Sequence, residues 1–317
     1  SSYSMVAGYI VGPNVNLSGA NLGDADLSGA DLSGVISGSI SGTPILPPSY
    51  GMLAGYIVGP DVNLTGADLI GADLSGIDLS SSNLSAANLL GTDLSDTDLR
   101  GANLLGANLV SADLTAADLS LADLRGTKSG GIIGEPTLPE PYKLIGNGYI
   151  VGPEVNLRGA AIHGPDVHFD IKRLNIDFSG ADLSGANLTG KDIYSTDNQR
   201  VDLKSMNLHG VNLSGANLSD VDLSYSDLSG VVSGNITGNP LFSYPYFMMS
   251  GVIFGPDVSL ESSDLSNVWL TGLDLTDFDL SNANLSGVIS GNITGNPTLP
   301  SSYSMVAGYI VGPKVNL

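Results

Sequence analysis

Apolar and polar positions along this chain recur with a period of five. From Leu64 to Leu124 a leucine stands at every fifth residue, thirteen times without a gap. Two residues before each leucine sits a small or modest side chain (Val62, Ala67, Ala72, Ile77, Ser82, Ala87, Thr92 and Thr97, then Ala102 to Ala122), and immediately before each sits Asp or Asn. Neither the 3.6-residue period of a helix nor the 2-residue alternation of a strand sustains this spacing. Wound on an α-helix, leucines five apart would spiral around the axis and bury nothing. A short fixed period held this long predicts a repeat architecture, in which each unit buries its leucine against its neighbours.

The stretches GADLSGANLTG (180–190) and GANLLGANLVSADL (101–114) carry the pattern most cleanly. In them the chain resembles the pentapeptide-repeat family, A(D/N)LXX, over roughly two thirds of its length. The resemblance implies an all-β fold, a right-handed quadrilateral β-solenoid with four pentapeptides per coil. The leucine and the small residue two before it would then point inward. Elementary physics agrees with that implication. Each pentapeptide would form one short side of a coil, and stacked coils would pair through backbone hydrogen bonds at ~4.8 Å. Gly and Ser at the remaining positions suit tight corners. Each buried leucine is worth ~1.5–3 kcal/mol.

With four pentapeptides to a coil, every twentieth residue shares an outer column. Asn63, Asn83, Asn103 and Asp123 form one column, Asp73, Asp93 and Asp113 a second, and Asp78, Asp98 and Asp118 a third. Unit charges ~4.8 Å apart in water repel by ~0.9 kcal/mol. The first expectation is that each carboxylate accepts local backbone N–H bonds and tolerates its neighbours. The alternative is that the columns hold a divalent cation such as calcium, or a basic partner.

A longer motif interrupts the pentapeptides. SSYSMVAGYIVGPNVNL (1–17) returns at 48–64, 141–157, 245–260 and 301–317, and each later copy follows a closing phrase such as SGVISGSISGTP (33–44) or SGVVSGNITGNP (229–240). The chain therefore reads as one continuous solenoid over 1–317. Pentapeptide modules at about 15–35, 62–127, 155–231 and 258–288 alternate with Pro/Tyr-containing cassettes at about 36–61, 128–154, 232–257 and 289–314. Most cassettes span 27 residues (35→62, 231→258, 288→315) and one spans 28 (127→155), which reads as a full coil of twenty plus an excursion. In that reading Val35, Ile40 and Ile45 extend the inward register and Met52, Ile57 and Val62 rejoin it. The excursion is placed at the proline stretch near Leu46, Pro47 and Pro48, since Pro cannot donate to a ladder. Ten of the twelve tyrosines lie in cassettes, among them Tyr50, Tyr142, Tyr246 and Tyr303. Either these rings cover a widened coil, or the Pro–Tyr–Met excursions project and make lateral contacts.

Composition narrows the function. With no cysteine the chain has no disulfide scaffold, thiolate zinc site or cysteine nucleophile. A net charge of −21 argues against binding phosphate backbones. No stretch approaches the ~20 apolar residues of a membrane-spanning helix. The acids are 28 Asp and only 4 Glu, a bias toward a short carboxylate held near the backbone. Three histidines and no cysteine form no acid–base or nucleophilic constellation, so the chain reads as a non-enzyme.

A few residues stand out as candidates for contact. His163, Asp166, His168 and Asp170 crowd together in IHGPDVHFDIKRLNIDF (162–178), a weak metal-ligand set. Lys191 and Asn198 fall on inward positions, which makes 189–203 a bulge or loop. Trp269 takes an outward slot normally held by Asp or Asn, a fit for a contact residue. Residues 1–17 and 301–317 match at every position but one, Asn14 against Lys314. That recurrence points to a structural fibre or filament, extracellular or at the cell surface. It would form by head-to-tail self-association, aided laterally by cassettes, or as one 300-residue superrepeat of a longer chain. The alternative, a cytoplasmic acidic protein mimicking DNA toward a topoisomerase, follows from the resemblance, since some pentapeptide-repeat proteins bind DNA gyrase.

Overall fold

Between Asn63 and Asp123 the pentapeptides bridge to those of the next coil in parallel, twenty residues away, wherever both partners lie in this run. The bridges Asn63↔Asn83↔Asn103↔Asp123 and Asp68↔Asn88↔Asn108↔Lys128 occupy two sides of the coil, and Asp73↔Asp93↔Asp113 and Asp78↔Asp98↔Asp118 the other two. Each side contributes a pair of ladder bonds, as in Leu64 N–H to Asn83 O at 2.7 Å and Asn83 N–H to Val62 O at 2.8 Å. The chain is thus a right-handed quadrilateral β-solenoid, all-β and interrupted by cassettes. The computed structural model describes residues 3–162, 178, 181–183, 185, 186, 188, 201–261 and 263–316. They fall into two compact units, Ser1–Ile150 and Val151–Leu317.

The core follows from the repeat. Leucines from Leu64 to Leu124 are buried, and Ala102, Ala107, Ala112 and Ala117 fill the slots two before them. Where a polar residue takes the small slot it is satisfied across the coils. Thr92 Oγ1 donates to Leu69 O at 2.7 Å and Thr97 Oγ1 to Leu74 O at 2.9 Å. Corners are four-residue turns, as where Ala67 N–H donates to Leu64 O. From Leu64 to Leu124 their third residue has positive φ, +66° at Gly66, the requirement of a type II turn.

The cassettes hold the only strands longer than two residues among the described residues, and these form hairpins. β1 (Ser4–Val6) pairs with β2 (Tyr9–Val11), β3 (Gly51–Leu53) with β4 (Tyr56–Val58), and β5 (Lys143–Ile145) with β6 (Tyr149–Val151). Beyond the short β7 (Val201–Asp202) and β8 (Val221–Asp222), β9 (Phe247–Met249) pairs with β10 (Val252–Phe254) and β11 (Ser304–Val306) with β12 (Tyr309–Val311). Ala-Gly or Ser-Gly joins four of these pairs with positive φ at both residues, as at Ala54 (+49°) and Gly55 (+81°), while the longer Gly146-Asn147-Gly148 turn joins β5 to β6. In those four the geometry is type I′, the one favoured in two-residue hairpins.

Two details of the register differ from the sequence reading. The excursion is not the proline stretch; it is the hairpin, Gly51–Val58 in the second cassette. Nor does Ile45 point inward: it is 58% exposed and takes the outward slot opposite Asp26, nineteen residues away and not twenty. The same shortening recurs at Asp118↔Thr137, Asp222↔Leu241 and Asp279↔Thr298. One residue is missing from the corner before the proline, where Gly42 (φ +88°) lies hard against the backbone of Gly23. A side one residue short moves Ile45 from the inward slot to the outward one, since neighbouring positions on a strand face opposite ways. The predicted bulge at 189–203, with Lys191 and Asn198, lies almost wholly outside the described residues.

The number of pentapeptides between cassettes sets the side on which each hairpin begins. In the first unit Ile36, which opens the second cassette, bridges Asn16 and Asn63, so this cassette starts in the column where the first one ended. Thirteen pentapeptides later, one more than three full coils, Lys128 opens its cassette in the next column round, that of Asn88 and Asn108. In the second unit the cassettes opening at Val232 and Ile289 start two columns apart, in the columns of Ser259 and Trp269.

Candidate interaction site

Two surfaces could meet a partner: the outer columns and the hairpin cassettes. In the columns almost every acid is engaged locally. Asp73 Oδ1 accepts from Ser75 N–H at 3.1 Å and from Ser75 Oγ at 2.6 Å, and Asp113 repeats this with Thr115. Ser80, Ser95 and Ser120 N–H donate likewise to Asp78, Asp93 and Asp118. These are Asx turns, which a carboxylate one methylene longer would overshoot. The predominance of Asp over Glu therefore follows from corner geometry. Asparagines add a ladder of their own, Asn103 Nδ2 donating to Asn83 Oδ1 at 3.2 Å and Asn108 Nδ2 to Asn88 Oδ1 at 3.0 Å. Arg100 ion-pairs with Asp98 and reaches Asp118 on the next coil at 4.0 Å.

These bonds favour the ionised form. The serine hydroxyl and then the backbone N–H hold Asp26, Asp31, Asp73 and Asp279 below the ordinary carboxylate value, and Thr115 and Thr276 do the same for Asp113 and Asp274. Burial is the largest single influence on Asp222 and pushes it up, but bonds from Ser224 and Lys204 together outweigh it. A depressed folded value means that the stabilisation is complete above the unfolded value near about pH 4 and is lost as pH falls through the folded values. The melting temperature is therefore expected to stay level from neutrality down to about pH 4 and to fall below it. A melting temperature that climbs on acidification, as relief of column repulsion alone would give, would contradict this.

The cassettes carry a feature that sequence reading missed. A serine replaces the inward leucine at the start of each and pins the hairpin that follows. Ser37 Oγ accepts from Ile57 N–H at 2.9 Å, Ser129 from Ile150, Ser233 from Ile253 and Ser290 from Ile310, each at 3.0 Å. All four serines are buried, and so are the four isoleucines. The available signal was a serine two residues after the closing Val or Thr in every cassette, at Val35, Thr127, Val231 and Val288.

The candidate tyrosines are placed differently from one another. Tyr50, Tyr246 and Tyr303 are half-buried, each ring against the glycine of the following Gly-Pro, Gly59, Gly255 or Gly312. Tyr246 Oη donates to Pro256 O at 3.4 Å and Tyr303 Oη to Pro313 O at 3.0 Å. Tyr142 is buried. Burial, then the nearby carboxylates Asp227 and Asp257, push the Tyr246 hydroxyl above its ordinary value. Tyr244, which was not singled out, is 98% exposed, and Trp269 stands out at 65% on the bridge Trp269↔Ile289.

His163, Asp166, His168 and Asp170 lie outside the described residues. Among the described residues no group of three or more His, Asp or Glu side chains could hold a metal ion. His209 does meet a serine and an acid: its Nδ1 lies 2.8 Å from Ser229 Oγ, which donates to Asp227 Oδ1 at 2.6 Å. The hydroxyl proton thus points at the carboxylate and the imidazole donates to the serine oxygen, the reverse of nucleophile activation.

A family profile described as pentapeptide repeats matches eight copies, within residues 14–36, 63–101, 92–128, 175–193, 199–232 and 259–289. No curated protein matches the chain significantly. Among solved structures, HetL, a pentapeptide repeat protein involved in heterocyst differentiation regulation from the cyanobacterium Nostoc sp. strain PCC 7120, is similar at 22% identity, over 91% of this chain and 89% of that one, with a TM-score of 0.20. The plasmid-mediated fluoroquinolone resistance protein QnrB1, in a trypsin-treated variant, is similar at 19% identity, over 75% and 90%, with a TM-score of 0.20. A pentapeptide repeat protein of the Arabidopsis thaliana thylakoid lumen is similar at 20% identity, over 63% and 66%, with a TM-score of 0.12.

Proposed function

This chain belongs to the pentapeptide repeat family, and on that footing we propose that it is a structural protein that assembles end to end into a fibre, through its hairpin cassettes. One observation carries the reading: the first and last hairpins are interchangeable. Residues 4–11 and 304–311 have the same sequence, and the second copy sits on the Ser290 seat with Ile310 fully buried. The first copy carries the same residues in the same register, Met5 opposite Ile10 as Met305 is opposite Ile310. Seating Met5 and Ile10 on a coil of the Ser290 type would contribute ~1.5–3 kcal/mol each. A second molecule's first hairpin can therefore replace the last hairpin of the molecule before it at little net cost, a heterologous contact that propagates without closing.

The topoisomerase-mimic reading draws on the acidic columns. Those carboxylates stay ionised in their Asx turns, but the mimic reading gives the duplicated hairpins at 4–11 and 304–311 no part, and the fibre reading does.

Sedimentation velocity on the 317-residue chain tests the proposal. Concentration-dependent oligomers are expected. They should strengthen when residues 301–317 are deleted, which empties the Ser290 seat, and vanish in Ile10→Asp. A chain that remains monomeric both intact and with 301–317 deleted would overturn it.

A further inference from the structure

The fourth hairpin departs from the other four, and the departure opens a cavity. Its first strand begins with Phe247 where the others have Ser4, Gly51, Lys143 and Ser304. Its second strand ends in Phe254 where the others have Val11, Val58, Val151 and Val311. A third ring, Phe278, occupies the slot two before Leu280 that the repeat reserves for a small side chain. Phe247 and Phe254 stack at 5.3 Å between centroids and 9° between planes, and Phe254 meets Phe278 at 6.4 Å and 40°. Three large rings cannot close over a site built for Val and Ala. What remains is a cleft of about 620 Å³, walled by Tyr244, Tyr246, Phe247 and Phe278.

The rim of this cleft is acidic, and two of its acids differ from the column acids. Asp274, also on the rim, is engaged by Thr276 through both its N–H and its hydroxyl. Asp257 and Asp277 occupy corner positions of positive φ, +57° and +63°, and among the described residues their carboxylates accept no hydrogen bond and join no ion pair. Their charge is uncompensated beside exposed aromatic faces. A ring face attracts cations through its quadrupole, and an adjacent carboxylate adds to that attraction. The volume lies within the range of small-molecule sites, about 300–1,000 Å³.

We infer that the cleft between the fourth hairpin and Phe278 binds an organic cation with an apolar body, such as an aryl quaternary ammonium, its rings held by Phe247, Phe278 and Tyr246 and its charge by Asp257 and Asp277. The site is independent of end-to-end assembly, since neither the first nor the last hairpin contributes to it.

Titration calorimetry of the whole chain with benzyltrimethylammonium tests this, with neutral 2-phenylethanol as the control. Saturable binding of the cation is expected, at least tenfold tighter than the alcohol. The double variant Asp257→Asn/Asp277→Asn should weaken the cation at least tenfold and leave the alcohol unchanged. Asn suits positive φ, and the first cassette already has Asn14 at the place of Asp257, so this variant keeps the fold. Phe278→Ala, which restores the small residue usual at that slot, should weaken both ligands. No saturable cation binding, equal affinity for the alcohol, or full affinity in the double Asn variant would each overturn the inference.

Discussion

Leu104→Ala is expected to lose about 3–5 kcal/mol, toward the upper end of the cost for emptying a leucine site. Leu104 is fully buried, with Leu84 and Leu124 at the same place in the coils before and after. The size of the loss follows from what surrounds the void. Leu104 N–H is tied to Asp123 O at 2.9 Å and Asn103 N–H to Ser82 O at 2.9 Å, so the wall is pinned to both neighbouring coils. A wall fixed at strand spacing cannot collapse inward, and the cavity term is retained nearly whole. Because stability in a solenoid accumulates between neighbours, the defect should also break the cooperativity of the surrounding coils. Urea denaturation followed by circular dichroism would show an earlier and broader transition. A loss below about 1 kcal/mol would mean that the coil relaxes around the void.

Gly42→Ala is expected to be almost as damaging, although Gly42 is exposed and buries no side chain. Its φ of +88° strains any L-residue, by about 1–2 kcal/mol. An added Cβ would also overlap the backbone nitrogen of Gly23 and come within 2.5 Å of its Cα. Overlap with backbone cannot be relieved by a rotamer change and costs about 1–3 kcal/mol more. Gly19 supplies the control. It has a similar φ of +73°, but a Cβ there meets nothing within 4 Å. Gly19→Ala should therefore show the conformational cost alone, and in denaturant melts Gly42→Ala should lose more by at least about 1 kcal/mol. Equal losses at the two sites would show that the shortened corner opens to admit the methyl group.

Much of the architecture was legible in the sequence because one rule generates it. The leucine period identified the inward face, and the Asp/Asn slot identified the columns that Asp73, Asp93 and Asp113 form. The preference for Asp over Glu predicted a carboxylate bound close to the backbone, and the Asx turns supply the reason. The cassettes were recognised as interruptions but misread within. Counting by fives placed Ile45 inside, because nothing in SGTP announces a side one residue short. The sequence left open whether the tyrosines beside prolines cover the coil or project; the ring of Tyr50 lies against Gly59 and that of Tyr246 against Gly255. The seat serines recur in the closing phrases, but their role was not legible there: Ser37 and Ser233 gain it only from an isoleucine N–H twenty residues away.

What the sequence determined by itself was the coil: its period, its inward leucines, its polar columns and its family, all properties of a local rule repeated at fixed spacing. Only the tertiary structure decided where the rule yields. The shortened corner depends on Gly42 meeting the backbone of Gly23 nineteen residues earlier. The serine seat depends on a hairpin folding back over a coil. The aromatic cleft depends on Phe278 arriving beside Phe254 from another part of the solenoid. Each is a contact between segments far apart in the chain, and a period of five carries no information about distances it does not itself set.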